Sequence, residues 1–487
     1  MAAPGERFAS IASRLDPALL RFATPLAAAF ALGGQLVLSL QRGLYGSLMP
    51  GTALLGLALL LLIFALARRR TEAVGPPDGA ADDGTGPRRL PARVEWVLVA
   101  IVLVGGLYLR LYRIDLVPWG LNNDEAINAM EAKDISARSG MDSALHASSL
   151  TQRGLNRETM FHYLAAFSYR SAEIEMNLLR AMPAVFGLSP RLVQNPLMDL
   201  VFPLRAVAIA AGALTLLALY LFARDRFGGL VALLAMAFLA VSPWHLLYSR
   251  VGERAILVPL FAIATIGFFL KALDTGRTRD HVAWGIFLGL GFWTYTSFRA
   301  IPIALVAFAL LRRPLGWAPG HPGDPRARRA ALAAIGIAAG ILFVLMLLSP
   351  IGFMGFLTRG AYAALVTPRA NFPLNVLCSL GLAHHFPGRY AVIQSDAFIS
   401  DGMSPVYGLI GLAPETTVVA ALSALGLVYA AWRALRRKDG ASGLLVLCFL
   451  ALVSTVGIAG PSLTRMLPNA PWLCLFAALF ASRIFSD

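Results

Sequence analysis

Two adjacent carboxylates, Asp124 and Glu125, stand in the run Asn122-Asn123-Asp124-Glu125, directly beyond a long apolar stretch. Their apolar neighbours Leu116, Val117, Pro118, Trp119 and Leu121 would strip water from one of them. A desolvated carboxylate binds its proton more tightly and moves toward the working range of a general base. The same residues also read as a helix start, with an Asn cap and acids at the positive end of the following helix. The readings are compatible, because a helix start fixes a carboxylate in place.

Three further segments carry groups suited to an anionic ligand. Arg157-Glu158 opens an aromatic-rich amphipathic stretch, 156–164, containing His162 and Tyr163. Such a helix lies in a membrane interface, and its ion pair serves either as an anchor or in a site. In Ser242-Pro243-Trp244-His245 through Arg254, Arg250 and Arg254 are four residues apart. On a helix they would share a face and clamp a phosphate, whereas as span-end residues they would snorkel. His245 reads first as a hydrogen-bonded helix-end residue and second as an acceptor-site group. Arg299 follows Trp293-Thr294-Tyr295-Thr296. An arginine among aromatics at headgroup depth suits a lipid-linked phosphate, although aromatic belts have the same composition. Arg465 is a weaker example. No Gly-rich phosphate loop, HExxH, GxSxG or CxxC arrangement occurs, so nucleotide hydrolysis and zinc-protease chemistry lack support.

The elements that must position these groups are transmembrane helices. Of 487 residues, 57% are hydrophobic and 14% charged, against about 25% charged in soluble domains. Continuous Leu- and Ala-rich runs approach the ~20 residues needed to cross a bilayer, and only helices or closed barrels satisfy the backbone there. The fold expected is an all-α polytopic bundle of about twelve spans. The net charge of +15 then reports cytoplasmic Arg clusters and not nucleic acid, since no basic stripe with interleaved aromatics is present. The three cysteines have no metal spacing, and two lie in apolar runs.

Residues 1–67 read as an N-terminal transmembrane hairpin, 68–93 as a cytoplasmic disordered linker rich in Gly, Pro, Asp and Arg, and 94–487 as the core. Within it, 115–201 and 351–415 form long extracytoplasmic segments, the second holding His384-His385. The spans near 282–297 and 300–311 are short enough to form one re-entrant unit. Every short loop assigned to the inside is basic, which makes the orientation self-consistent. High Ala, Arg and Gly usage points to a bacterial inner membrane, with the active side in the periplasm.

Taken in order, these segments resemble the GT-C superfamily of polyprenyl-phosphate-sugar-dependent glycosyltransferases, in the branch holding protein O-mannosyltransferases and lipid A aminoarabinose transferases (families 39 and 83). That family places an Asp-Glu pair in the first large outer loop, here Asp124-Glu125. An Arg-Glu-Pro-Leu-Phe-like element follows, here Arg157-Glu158-Thr159-Met160-Phe161, with Thr159 in place of the usual Pro. Pro203-Leu204-Arg205, the 242–250 segment, Thr294 to Arg299 and Pro461 to Arg465 match in order, so the resemblance runs from about residue 94 to the C-terminus.

The resemblance implies that Asp124, beside Glu125, takes a proton from an acceptor hydroxyl or amine, which then attacks the anomeric carbon with inversion. The leaving phosphate would meet Arg250, Arg254, Arg299 and Tyr295, with Lys133 a weaker candidate. Glu158, Arg157 and His245 would serve the acceptor or a divalent metal ion, a cofactor that relatives use variably. The implied partners are a polyprenyl-phosphate-linked sugar, an acceptor glycan, lipid or protein, and the bilayer. The alternatives are a transporter or flippase of lipid-linked sugars, a non-catalytic scaffold, or a ligase using a diphosphate-linked glycan. Transporters place ionisable groups at mid-bilayer, whereas polar residues here crowd the outer rim.

Overall fold

The computed structural model describes residues 23–40, 57–58, 60–62, 91–118, 121, 123–140, 158–317, 325–347, 415–459 and 463–484. Arg157, the His384-His385 pair, the linker up to residue 90 and nearly all of 351–415 lie outside them. All the regular structure among the described residues is helical, and the chain is a multi-pass membrane protein of helical-bundle type.

Among the described residues, the α-helices longer than four residues are α1 (Ala23–Leu40), α2 (Ala92–Leu111), α3 (Asn123–Ser136), α4 (Met160–Arg170), α5 (Ala172–Ala181), α6 (Pro196–Phe227), α7 (Gly229–Val241), α8 (Pro243–Tyr248), α9 (Leu257–Thr275), α10 (Thr278–Gly291), α11 (Ala300–Leu311), α12 (Pro325–Leu347), α13 (Thr417–Arg436), α14 (Gly440–Ala459) and α15 (Ala470–Ile484). Six apolar helices of the described residues are long enough to cross a membrane and four apolar ones are shorter, against about twelve spans expected. Helix α6 is 32 residues long, roughly 48 Å, and so projects beyond a ~30 Å hydrocarbon core.

Local chemistry sets the helix ends. Asn195 caps α6, its Oδ1 accepting from Leu197 N at 2.9 Å, and Pro196 occupies the first turn, where no amide donor is needed. Ser242 caps α8 by accepting from His245 N at 3.2 Å, and Thr416 caps α13 through Val419 N at 3.3 Å. Helix α9 ends at Gly276 in the left-handed region, φ 64°. Between helices, small residues permit close approach. An added Cβ on Gly426 of α13 would stand 1.9 Å from the Phe476 carbonyl of α15, and one on Gly285 of α10 would stand 2.4 Å from the Ala334 carbonyl of α12. Helix α15 is buried from Ala470 to Ala481 and forms the central post, while α1 leans on α13.

The bundle has two chemically distinct ends. At one, Glu95 of α2 accepts from Arg224 of α6 (2.8 and 3.1 Å) and from Tyr220 (2.7 Å). Trp317 Nε1 donates to the Ala434 carbonyl at 2.8 Å, and Arg433 pairs with Asp439 at 2.8 Å. At the other end lie α3, α4, α5, α8 and the turns at 249–256 and 292–299. The two short helices are not one re-entrant unit. Helix α10 begins beside Thr275, whose hydroxyl donates to Asp280, and its following turn reaches Thr159 through Trp293 Nε1. Helix α11 starts at Arg299 near Glu158 (3.7 Å) and leads to Trp317 against α13. Each therefore runs from one end of the bundle to the other.

Candidate active site

The apolar run of α2 ends at Leu111, and after a turn the chain restarts as α3, with Asp124 and Glu125 in its first turn. Their neighbouring environments differ sharply. Glu125 is completely buried and accepts a bidentate pair from Arg205 of α6, Nε to Oε1 at 2.8 Å and Nη2 to Oε2 at 3.1 Å. It also accepts from the Gly252 amide at 2.9 Å. Arg205 donates in addition to the Ile114 carbonyl at 3.2 Å. Glu125 is thus the tie between α3, α6 and the 249–256 turn. Asp124 is half-buried and stands within electrostatic reach of Arg254.

Arg254 opens a short 3-10 turn ahead of α9. Its Nη1 donates to Glu158 Oε2 at 3.0 Å, its side chain is only 3% exposed, and its guanidinium lies over the Tyr295 ring, 5.2 Å from the centroid. Glu158 faces a second cation, Arg299, whose Nη2 is 3.7 Å from Oε1. Arg299 is the more open of the two, with 21% of its side chain exposed. The structure therefore gathers Asp124, Glu158, Arg254, Tyr295 and Arg299 at one end of the bundle. Thr159 accepts a hydrogen bond from Trp293 Nε1, and Trp293 packs on Tyr163 at 5.7 Å.

Three expected members stand elsewhere. Arg250 and Arg254 do not share a helical face, because 249–253 is a turn. Arg250 instead caps the end of α2, donating to the carbonyls of Leu109 (2.5 Å), Tyr112 (2.7 Å) and Val117 (2.6 and 3.1 Å). Burial and nearby Arg205 lower its pKa to about 10, so it stays charged at neutral pH. Lys133 is exposed in the last turn of α3, roughly 13 Å along the axis from Asp124. His245 is buried, and its Nδ1 accepts from Arg110 Nη2 at 2.8 Å. Burial and Arg110 hold the imidazole well below its ordinary pKa, so it is neutral and fixed in one tautomer.

Sequence reasoning missed Glu415. It is buried, its Oε1 accepts from Ser242 Oγ at 2.9 Å, and burial pushes its pKa up to about 8. The structural weight of Arg205 was also not anticipated, although an arginine inside an apolar run is a signal in itself. Among the described residues, no three His, Cys, Asp or Glu side chains are placed to share a metal ion, and Glu158 is engaged by the two arginines.

Residues 185–318 match the model of the dolichyl-phosphate-mannose-protein mannosyltransferase family. That window holds Arg205, Arg254, Tyr295 and Arg299, but not Asp124 or Glu158. In fold, the chain is similar to the oligosaccharyltransferase of Archaeoglobus fulgidus in its apo form, with a TM-score of 0.51 and 15% identity over 81% of this chain and 51% of that one. It is similar to the same protein tethered to an acceptor peptide containing the NVT sequon, at TM-score 0.51 and 14% identity over 81% and 50% of the two chains. ArnT from Cupriavidus metallidurans in the apo state aligns at TM-score 0.45 and 14% identity over 81% and 60%, too loosely to add weight. At these identities the likeness is one of fold, and the chain spans about half the length of the archaeal protein. No curated protein matches the chain significantly in sequence.

Proposed function

We propose that this chain, whose fold is of GT-C type, is a membrane glycosyltransferase that moves a sugar from a polyprenyl phosphate to an extracytoplasmic acceptor. The observation that carries the reading is the convergence of Asp124, Glu158, Arg254, Tyr295 and Arg299 from four separate segments. The matched family is named for a dolichyl-phosphate-mannose donor, which is a polyprenyl-phosphate sugar. The archaeal protein of similar fold is named as an oligosaccharyltransferase and was captured with an acceptor peptide.

In this mechanism Asp124 accepts the proton of an acceptor hydroxyl or amine. The freed lone pair forms the new bond to the anomeric carbon from the face opposite the phosphate. The bond from that carbon to the phosphate oxygen breaks with inversion, and its electron pair stays on the leaving phosphate. A fixed cation stabilises that developing charge best. Arg299, the more exposed arginine, would meet the phosphate, while Arg254, held over Tyr295, sets the position of Glu158. Glu158 keeps both guanidinium groups in place before the donor arrives. Arg250 and Lys133 fall outside this set because of where their side chains lie. The acceptor is a protein, a glycan or a lipid.

The far end of the bundle is rich in exposed arginine and lysine, including Arg277, Arg279, Arg436, Arg437 and Lys438. Short basic loops face the cytoplasm, so the end carrying Asp124 faces outward, toward the periplasm of a bacterial inner membrane.

A transfer assay in proteoliposomes tests the reading, with a panel of polyprenyl-phosphate sugars and membrane extract as the acceptor source. Asp124→Asn keeps the shape and cannot act as a base. Turnover is expected to fall at least ~100-fold in the folded variant. An active wild type matched by Asp124→Asn removes the proposed base. A wild type that consumes no donor moves the transporter and scaffold readings ahead.

A further inference from the structure

Resting on the reading above, we infer that Asn128 and His162 are positioning residues that lock the Gly252 peptide and so fix Arg254 opposite Asp124. Both side chains are buried, and neither belongs to the charged cluster. Asn128 lies one turn beyond Glu125 on the same face of α3. Its Nδ2 donates to the Gly252 carbonyl at 2.9 Å, while Glu125 accepts from the Gly252 amide at 2.9 Å. One helix face therefore holds both polar groups of a single peptide residue.

The third contact fixes the directions. His162 Nε2 is 3.1 Å from Asn128 Oδ1. The Gly252 carbonyl can only accept, so the Asn128 amide must donate to it and turn its oxygen to His162, which then donates from Nε2. The chain reads His162 Nε2–H to Asn128 Oδ1, Asn128 Nδ2–H to Gly252 O, and Gly252 N–H to Glu125, which Arg205 holds in turn. Glycine at 252 permits this close approach, since a Cβ there would stand 2.1 Å from the Leu204 side chain and 3.3 Å from that of Glu125. Two residues on is Arg254, and one residue before Glu125 is Asp124. The lock thus joins the neighbours of the proposed base and of the cation that holds Glu158.

Asn128→Asp gives a test that simple destabilisation does not mimic. An ionised carboxylate offers Gly252 only lone pairs and repels its carbonyl, whereas a protonated one can donate again. The ionisable groups around it are Glu125 and Glu131 on α3, His162 on α4, Arg205 on α6, and Glu253 and Arg254 beside Gly252. The carboxylates among them favour protonation of the introduced group.

We expect kcat of Asn128→Asp at pH 8 to fall ~10- to 100-fold, the scale of a small misplacement of reacting groups, with KM changed less than about twofold. The ratio of variant to wild-type activity should then rise as pH falls. His162→Gln keeps an N–H donor and should retain most activity, and His162→Leu should not. Deuterium exchange of the peptide covering 249–256, measured on the same full-length samples, should quicken in Asn128→Asp at pH 8.

Unchanged exchange in Asn128→Asp removes the lock, whatever the activity. Faster exchange with wild-type kcat leaves a lock that positions nothing, and the inference falls. A pH-independent activity ratio overturns it too. If the wild type consumes no donor, the functional reading is what fails, and the lock is decided by exchange alone.

Discussion

At the scale of single residues, the adjacent acids of α3 divide their labour by burial. Glu125 is sealed against Arg205 and the Gly252 amide, while Asp124 stays half-buried near Arg254. Removing one partner of a buried ion pair strands the other charge and costs about 3–5 kcal/mol. Arg205→Met should therefore lower the unfolding midpoint in detergent markedly, and Glu125→Gln should do the same. Arg299→Lys, which keeps the charge but loses the planar fork, should leave that midpoint unchanged and reduce turnover. Glu415 supplies a pH dependence. Its pKa is about 8 in the fold against an ordinary value of 4.5, so its contribution to stability is complete below about 4.5 and is lost as pH rises toward 8. Glu415→Gln should flatten this decline and raise the midpoint at pH 8 relative to the wild type. The sequence makes Asp124, Glu158, Tyr295, Arg254 and Arg299 visible as chemistry-bearing types at membrane ends. It cannot separate Asp124 from Glu125, because which acid is buried depends on Arg205, 80 residues away in the chain.

At the scale of elements, helices were legible wherever the apolar run was continuous, because lipid leaves the backbone no other choice. The turn at 249–253 was not. Spacing alone places Arg250 and Arg254 on one face, but α8 ends at Tyr248 and 249–253 is a turn, sending Arg250 to the end of α2 and Arg254 to Glu158. The pairing of α13 with α15 was equally hidden, since it depends on which glycine meets which carbonyl. Gly426→Leu should be among the most damaging single changes in the bundle, with loss of monodisperse protein in detergent. The equivalent change at Gly336 of α12, where a Cβ would meet nothing, should be tolerated.

At the scale of the whole molecule, the two ends differ in charge and in what they hold. With the native cysteines replaced, Lys133→Cys should react with a membrane-impermeant maleimide added to the outside of intact cells. Arg436→Cys should react only after permeabilisation. Equal labelling of the two, or the reverse order, would overturn the orientation. The difference in charge between the two ends is visible in the sequence, whereas the inward or outward turn of each side chain needed the fold. One consequence concerns freedom of movement. Helix α6 is pinned to α2 by Glu95 and Arg224 at one end, and to the chain just past α2 by Arg205 and Ile114 at the other. The pins are roughly 28 Å apart along α6. A rod held at two such points can neither slide by a turn nor splay without breaking both. Carriers that alternate their access rock one half of the bundle against the other, and a cycle that used this seam would break an ion pair and a buried hydrogen bond at every turn. Pinned in this way the two helices are built as a stator, and any movement in the proposed reaction would fall to the substrates and to the segments around them.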